Sequence, residues 1–249
     1  MALPLEDKVV LITGGARRVG AAIARRLHAS GASLMLHYRA AQGDAQALQS
    51  ELTAVRAHSV ALLRADLLDI AGLPEIVRNT VARFGRLDVL VNNASSFHPT
   101  PLGEIGLEQW DDLVGTNLKA PLFLSQAAAP QLKKTGGAIV NITDIHAERP
   151  LKNYVVYCLA KAGLVGLTRS LARELGPEVR VNGVSPGPVL WPEDGSFDEV
   201  ARQRVIAHTL LRRAGEPGDV ARAVHFFVAE APYVTGQILA VDGGRSVSL

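Results

Sequence analysis

The 249-residue chain has one cysteine and only 5% aromatic residues. Its 26 basic and 24 acidic residues nearly balance, so it has no excess of either charge. Its single cysteine, Cys158, excludes an internal disulfide and is typical of a protein from a reducing compartment. The net charge is only +2 and the basic residues are scattered, so we expect no nucleic-acid partner. One cysteine, and seven histidines without ligand spacing, form no zinc pattern, so we predict no metal site.

Long hydrophobic runs are missing as well. No continuous apolar run reaches the roughly 18 residues of a membrane span, so we expect no membrane contact. The charged residues 6–8 interrupt the N-terminus before the apolar region of a signal peptide could form. With 48% hydrophobic and 20% charged residues, the composition is that of a soluble globular protein, which we expect to be cytoplasmic.

Apolar segments of strand length alternate with helical segments along the whole chain. The predicted strands are 8–13, 33–38, 60–65, 87–91, 138–142, 179–184 and 237–241. The predicted helices are 19–29, 44–57, 73–84, 110–134, 153–175 and one that starts near Phe197. This alternation predicts an α/β fold with a Rossmann-type, doubly wound parallel sheet of seven strands. No linker or repeat divides the chain, so we predict a single domain over residues 1–249.

The most informative residues are Tyr157 and Lys161, which stand four apart and therefore share one face of a helix. An ammonium group beside a phenol favours the phenolate, so we expect the pKa of Tyr157 to lie below its usual ~10. Asp144 follows the apolar run 138–142, at the end of a predicted strand. Open α/β sheets place their chemistry at such strand ends, so the three residues are predicted to form a catalytic site.

A glycine-rich turn, residues 13–20, joins the first strand to the first helix. Glycines let the backbone approach a pyrophosphate, and the helix N-terminus offers free N–H groups, so the turn predicts a dinucleotide site. The alternative is a tight turn without a ligand. The second strand ends in His37, Tyr38 and Arg39, without the acidic residue that an NAD site usually presents there.

Cations near the end of the second strand suit the 2′-phosphate of NADP(H). Arg39, together with Arg17 and Arg18 from the turn, therefore favours NADP(H) over NAD(H), although Arg39 could also be an ordinary surface charge. Asp66-Leu67 closes the third strand, where a carboxylate can meet the adenine amino group, and 92–94 closes the fourth strand beside the cofactor.

These motifs together resemble the short-chain dehydrogenase/reductase family. The matching residues span the chain and are the glycine-rich turn, Asp66, Asn92-Asn93-Ala94, Asn117, Tyr157 with Lys161, Pro186-Gly187 and Val241-Asp242-Gly243-Gly244. Two residues depart from the common family pattern: Arg18 replaces a glycine of the turn, and Asp144 replaces a serine. With the segments 36–39, 93–97 and 99–102, these departures resemble the pteridine reductase subfamily.

That resemblance implies NADPH-dependent reduction of pterins of the dihydrobiopterin or dihydrofolate type to their tetrahydro forms. It implies that Tyr157 supplies protons, with Asp144 as proton source or relay partner, and that Lys161 holds the nicotinamide ribose. Asn117 resembles the family residue that organises a water relay behind Lys161, and Phe97 would stack on the pterin against the nicotinamide. A homotetramer is also implied, with the helix of Tyr157 and the last strand near subunit contacts.

The motifs and the resemblance together define two sets of binding residues. The predicted cofactor residues are Gly14, Arg17, Arg18, Val19, Gly20, His37, Tyr38, Arg39, Asp66, Leu67, Asn93, Ala94, Ser95, Tyr157, Lys161, Pro186 and Gly187. The predicted substrate residues are Arg18, Ser95, Phe97, Asp144, Tyr154 and Tyr157. The segment 189–197 follows a loop that could cover a ligand, and we expect it to decide which pterin is bound.

Other interpretations of the sequence remain open. A carbonyl reductase of the same fold, acting on a ketone, sugar or 3-oxoacyl substrate, is one, although Asp144 at the serine position counts against it. A non-catalytic NADP(H) sensor is another, although intact Tyr157, Lys161 and Asn117 count against that. Phe97 could instead be a core residue, and Tyr154 a ring on the surface.

Overall fold

The structure is a computed structural model that describes residues 3–191 and 198–248. Its seven strands form one parallel sheet in the order β3-β2-β1-β4-β5-β6-β7, which confirms the predicted doubly wound sheet. The strands are β1 (Val9–Ile12), β2 (Ser33–Tyr38), β3 (Val60–Arg64), β4 (Val89–Asn92), β5 (Ala138–Ile142), β6 (Arg180–Pro186) and β7 (Ile238–Val241).

Helices connect the strands and cover both faces of the sheet. They are α1 (Arg18–Ala29), α2 (Gln42–Val55), α3 (Leu73–Phe84), α4 (Leu107–Val114), α5 (Ala120–Thr135), α6 (Val155–Leu175), α7 (Glu199–Ala207) and α8 (Pro217–His225). A π-helical segment, Gly115–Lys119, joins α4 to α5, and a second one, Phe226–Glu230, follows α8. Three-residue 3₁₀ turns occupy Ile70–Gly72, Ile145–Ala147 and Arg245–Val247.

Three of these helices differ from the prediction. The helix expected over 110–134 starts earlier, at Leu107, and is interrupted by the π-helical segment. The helix expected near Phe197 begins at Glu199, because the Asp198 carboxylate caps it by accepting from the main-chain N of Ala201 at 2.7 Å; Phe197 itself lies outside the described residues. Helix α8 was not predicted at all.

Alternation along β1 shows how the two layers of the core are built. Val10 and Ile12 pack with Ile23 of α1 and Val220 of α8 on one face of the sheet. Leu11 points to the opposite face and packs against α3 and α5. Because successive side chains of a strand point to opposite faces, a continuous apolar run serves a strand that is buried on both sides.

Helix α6 is the long helix that carries Tyr157 and Lys161. By length and composition it could span a membrane, with a mean hydropathy of 1.3. However, 44% of that apolar stretch is buried within the fold, where the helix packs against β6 and the Gly115–Lys119 segment. Packing inside the protein therefore accounts for part of its apolar character.

The order of the strands locates the site. The chain runs outward in one direction through β2 and β3 and in the other through β4 to β7, so β1 and β4 lie at the switch point. In open parallel sheets a ligand crevice forms there, outside the carboxyl ends of the strands. The glycine-rich turn and the segments after β4 and β5 meet at this edge.

Candidate active site

The glycine-rich turn after β1 is packed tightly on the segment that follows β4. Gly14 has a φ of +60°, and a Cβ there would lie 3.0 Å from the Cα of Ala94. A Cβ on Gly20 would lie 2.2 Å from the carbonyl oxygen of Gly14 and 2.7 Å from Nδ2 of Asn93. Glycine is therefore required at both positions, and the N-terminus of α1 is brought to the edge of the crevice.

Asn93 and Thr13 fix this arrangement with side-chain hydrogen bonds. Nδ2 of Asn93 donates to the carbonyl oxygens of Thr13 and Gly14, at 2.9 and 3.0 Å. Oγ1 of Thr13 accepts from the main-chain N–H groups of Asn93 and Ala94, at 2.9 and 3.0 Å. The expected position of Asn92 beside the cofactor is wrong: its buried side chain donates to Oδ1 of Asn141 on β5, at 2.8 Å.

His37 ties the turn to β2 and β3. Its Nδ1 accepts from the main-chain N–H of Gly14 at 3.2 Å, which leaves Nε2 to donate to the carbonyl oxygen of Ala65 at 3.1 Å. Burial lowers the pKa of His37 to about 4, against the smaller opposing effects of the Ala65 carbonyl and Asp66. The imidazole is therefore neutral, carries its proton on Nε2, and links the glycine-rich turn to the end of β3.

Arginines surround the turn. Arg18 begins α1 with a φ of +52°, in the left-handed region that glycine favours, and its Nη2 donates to the carbonyl oxygen of Trp191 at 3.0 Å. Arg17 is half exposed, with Nε 3.8 Å from Oδ2 of an equally exposed Asp44. Arg39 lies at the end of β2, on the wall of the same crevice.

The crevice is a cavity of about 470 Å³, and every predicted cofactor residue lines it. Further lining residues, among them Thr116, Thr143 and Val189, were not predicted. Thr143 directly follows β5, so its place at the strand end could have been used to find it. Pro186-Gly187 lines the cavity after β6, where a Cβ on Gly187 would lie 2.6 Å from Cβ of Asp242.

The reactive side chains meet at the other end of this cavity. Oη of Tyr157 donates to Oδ2 of Asp144 at 2.7 Å, and Oδ1 of Asp144 accepts from the main-chain N of His146 at 2.8 Å. Both carboxylate oxygens are therefore held, one by the backbone of the Ile145–Ala147 turn and the other by the phenol.

The predicted lowering of the Tyr157 pKa is wrong. Burial, and then the Asp144 carboxylate, raise the pKa of Tyr157 well above its ordinary value. Lys161 does not offset this, because its Nζ donates to the carbonyl oxygen of Ile142 at 2.9 Å and lies 5.7 Å from the centroid of the Tyr157 ring. Burial also lowers the pKa of Lys161 to about 8, although Asp144 opposes the shift. Tyr157 is therefore a neutral phenol that keeps its proton.

Asn117 lies in the π-helical segment and is completely buried. Its Oδ1 accepts from Oγ of Ser95 at 2.7 Å, and its Nδ2 donates to the carbonyl oxygens of Ser96 and Leu113, both at 2.9 Å. Among the described residues it makes no direct hydrogen bond to Lys161. The structure thus gives it a role in holding the segment after β4, and the water relay stays a prediction.

The rings of Phe97 and Tyr154 form an aromatic cluster with that of Tyr157. The ring of Phe97 stacks on that of Tyr154, with centroids 4.5 Å apart and planes at 17°, and meets Tyr157 edge-on at 4.8 Å. Tyr154 is only 8% exposed, so it is not a surface ring, and it does not line the substrate cavity. It packs behind Phe97 and supports it.

A second cavity of about 490 Å³ adjoins the first and shares Tyr157 and Asp144 with it. All the predicted substrate residues except Tyr154 line it, with Gly187 of the predicted cofactor set and with Leu190 and Trp191 of the predicted 189–197 segment. Residues 192–197 of that segment lie outside the described residues. The lining residues that were not predicted are Ile145, His146, Leu151, Pro188, Val205 and Arg245. Two binding spaces thus meet at one hydrogen-bonded phenol and carboxylate. No group of three or more His, Cys, Asp or Glu side chains within 3–191 and 198–248 could hold a metal.

Comparison with known proteins places this architecture in a family. A solved structure named as a short-chain dehydrogenase/reductase from Serratia marcescens is 37% identical and superposes with a TM-score of 0.91, over 98% of this chain and 99% of the other. A family model described as Enoyl-(Acyl carrier protein) reductase matches residues 14–246. This chain belongs to the short-chain dehydrogenase/reductase family. It is therefore an oxidoreductase.

Relatives within the family have different substrates in their names. Pteridine reductase 1 of Leishmania tarentolae is 38% identical, and the match covers 96% of each chain. The 3-oxoacyl-[acyl-carrier-protein] reductase FabG of Staphylococcus aureus is 33% identical, over 95% of this chain and 97% of the relative. A blue fluorescent protein from a metagenomic library, solved in complex with NADPH, is 38% identical with a TM-score of 0.91, over 97% and 99%. The substrate of this short-chain dehydrogenase/reductase has to be argued from its own site.

Proposed function

We propose that this oxidoreductase reduces a pterin with NADPH. The cofactor cavity fits a dinucleotide, because the glycine-rich turn and the N-terminus of α1 line it, where main-chain N–H groups can meet a pyrophosphate. Arg17, Arg18 and Arg39 line the same cavity, and cations suit a 2′-phosphate. The related structure that contains NADPH supports the same cofactor.

Lys161 and Tyr157 have different roles where the two cavities meet. When bound, NADPH supplies the hydride. Lys161, fixed by the Ile142 carbonyl, lines the cofactor cavity and would hold the nicotinamide ribose. Tyr157 keeps its proton at Oη, next to Asp144, where both cavities meet, so it can pass that proton to the substrate.

The hydrogen bond between Tyr157 and Asp144 is the observation that carries the choice of a pterin. A ketone oxygen only accepts hydrogen bonds, so it would face a carboxylate that repels it and competes for the phenolic proton. A pterin has N–H and amino donors as well as ring-nitrogen acceptors, which can meet the carboxylate and the phenol side by side. Phe97, an aromatic ring in the wall of the substrate cavity, suits a flat heterocycle.

A carbonyl reductase acting on 3-oxoacyl or other ketone substrates is the second candidate. The similarity to the Staphylococcus aureus 3-oxoacyl reductase over nearly the whole chain favours it, and Tyr157 and Lys161 serve such chemistry equally well. A non-catalytic NADP(H) sensor is less well supported, because the phenol of Tyr157, hydrogen-bonded to Asp144, places a proton donor where the two cavities meet.

The deciding assay follows the loss of NADPH absorbance with dihydrobiopterin, dihydrofolate, a 3-oxoacyl thioester and simple ketones, with NADH as the cofactor control. Asp144→Ser should reduce pterin turnover severely while NADPH still binds, and Asp111→Ser, the same change at an exposed acid of α4 outside both cavities, should leave pterin turnover unchanged. Ketone turnover with inert pterins, or an unchanged Asp144→Ser variant, would contradict the pterin proposal. Binding of NADPH without any turnover would favour the sensor.

We also propose a homotetramer and a cytoplasmic location. Helix α6 leaves Val155 and Leu159 about half exposed, and Leu239 on β7 is 40% exposed, so two of the elements expected at subunit contacts carry apolar surface. A monomer in light scattering at micromolar concentration would contradict the tetramer. Cytoplasmic location follows from the lone cysteine and would be checked by cell fractionation.

A further inference from the structure

The substrate cavity contains a positive group that the proposed reaction does not use. Arg245 lies in the last 3₁₀ turn, after β7, and its side chain lines the cavity. One of its nitrogens, Nη1, donates to the main-chain carbonyl oxygen of Val205 on α7 at 3.0 Å. This single anchor fixes the guanidinium in the wall while leaving its other N–H groups without a partner among the described residues.

Neither Asp242 nor Asp144 forms an ion pair with Arg245 among the described residues, although the negative charge of Asp242 acts on the guanidinium. Asp242, three residues before it, accepts from the main-chain N–H groups of Gly244 and Ser246, at 2.9 and 2.7 Å. Asp144 accepts from Tyr157 and from the backbone of His146. Within the described part of the chain, Arg245 therefore forms no ion pair.

Positive groups outnumber negative ones in the described wall of this cavity. Its described lining holds two guanidinium groups, Arg18 and Arg245, and one carboxylate, Asp144. His146 also lines it, and its Nδ1 donates to the carbonyl oxygen of Arg149 at 2.8 Å. A half-buried guanidinium binds a carboxylate or phosphate with charge-assisted, often bidentate, hydrogen bonds.

We infer that Arg245 recognises an anionic group on the substrate. This inference rests on the proposed pterin function, and together they make a pterin with a carboxylate-bearing tail, as in the folates, the preferred substrate class. The apolar side chains of Leu151, Trp191 and Val205 line the same cavity and suit the aromatic spacer between a pterin and such a tail.

The test is a calorimetric titration of NADP⁺-loaded protein with folate and with biopterin, which has no carboxylate. Arg245→Met should weaken folate binding about tenfold, which corresponds to about 1.4 kcal/mol, and leave biopterin binding unchanged. Arg245→Lys should restore part of the folate affinity. Arg78→Met, a mostly exposed arginine on α3 paired with Glu75, makes the same charge change far from the cavity and should affect neither ligand.

Equal weakening of folate and biopterin binding by Arg245→Met would overturn the inference, because it would mean that Arg245 acts only by anchoring α7. Unchanged folate affinity in Arg245→Met, or no folate binding by the wild type, would also overturn it. Turnover of dihydrobiopterin with NADPH tests the proposed function separately, because that substrate does not need Arg245. Selective loss of folate binding without any pterin turnover would support the anion site and contradict the reductase proposal.

Discussion

Acid should destabilise this protein through His37. The folded protein holds its imidazole neutral, between the Gly14 N–H and the Ala65 carbonyl, with the pKa lowered from 6.5 to about 4. The unfolded chain binds the proton more readily, so stability is fully present above pH 6.5 and is lost as the pH falls toward 4. Protonation also removes the acceptor for Gly14 and so loosens the glycine-rich turn.

The size of the effect follows from the two pKa values. Each unit of difference between the folded and unfolded states corresponds to about 1.4 kcal/mol, so the full loss is about 3.4 kcal/mol below pH 4. At pH 5 the loss from His37 alone is about 2 kcal/mol, relative to neutral pH. For a domain with ordinary marginal stability this is a large fraction of the free energy of unfolding.

The assay is urea unfolding at pH 7 and pH 5 for the wild type and for His37→Asn, whose side chain can still accept from Gly14 but does not titrate. The difference between the two pH values should be about 2 kcal/mol smaller in the variant, because the other titrating groups contribute equally to both proteins. His58→Asn, at an exposed position, is the matched control and should keep the wild-type difference. An equal pH dependence in wild type and His37→Asn would refute the reasoning.

Three further predictions concern the walls of the site. Arg18→Gly should relieve the positive φ of this residue and stabilise the fold by up to about 1 kcal/mol in thermal unfolding. It should also raise KM for NADPH and for pterin, because Arg18 lines both cavities. Unchanged KM values would refute the binding role of Arg18. Gly20→Ala should abolish NADPH binding and lower Tm, because its Cβ would overlap the Gly14 carbonyl; tight binding measured by fluorescence would contradict this. Asp112→Asn should loosen the segment that carries Phe97 and raise pterin KM more than NADPH KM; equal changes in both would count against that.

The last of these predictions depends on a contact that spacing could not reveal. Oγ of Ser96 donates to Oδ1 of Asp112 at 3.1 Å, and Nε2 of His98 lies 3.1 Å from Oδ2, so one carboxylate on α4 holds both neighbours of Phe97. Loss of the charge should therefore move the ring, and it should affect the substrate cavity more than the cofactor cavity, which Ser96 also lines.

The sequence predicted the sheet, and the predicted cofactor residues line one cavity, for one physical reason. Parallel strands end at one edge, so residues placed after strand ends, such as Asp66, Ala94 and Gly187, must meet there whatever the details of packing. The apolar runs of β1, β4 and β5 were also readable, since strands buried on both faces show continuous hydrophobic residues.

The parts that were missed depend on distances between segments far apart in sequence. Val205 and Arg245 reach the substrate cavity only because α7 and the last turn fold over it, and neither lies in a motif. The direction of the Tyr157 pKa shift depended on which polar atom Lys161 contacts, and helical spacing fixes only the shared face. Helix α8 has a readable start, with Pro217 in its first turn, but its amphipathic pattern is short.

Asp144 connects substrate choice with the acidity of Tyr157. A carboxylate at this position raises the phenol's pKa by its charge and by its hydrogen bond, so the proton stays on Tyr157 under neutral conditions. A serine there would remove that charge and leave the phenol under the influence of burial and of Lys161. Asp144→Ser would therefore supply a hydroxyl donor for a ketone oxygen and would also make Tyr157 more acidic. Aspartate instead keeps a neutral phenol and an acceptor together, which fits a substrate that both donates and accepts hydrogen bonds.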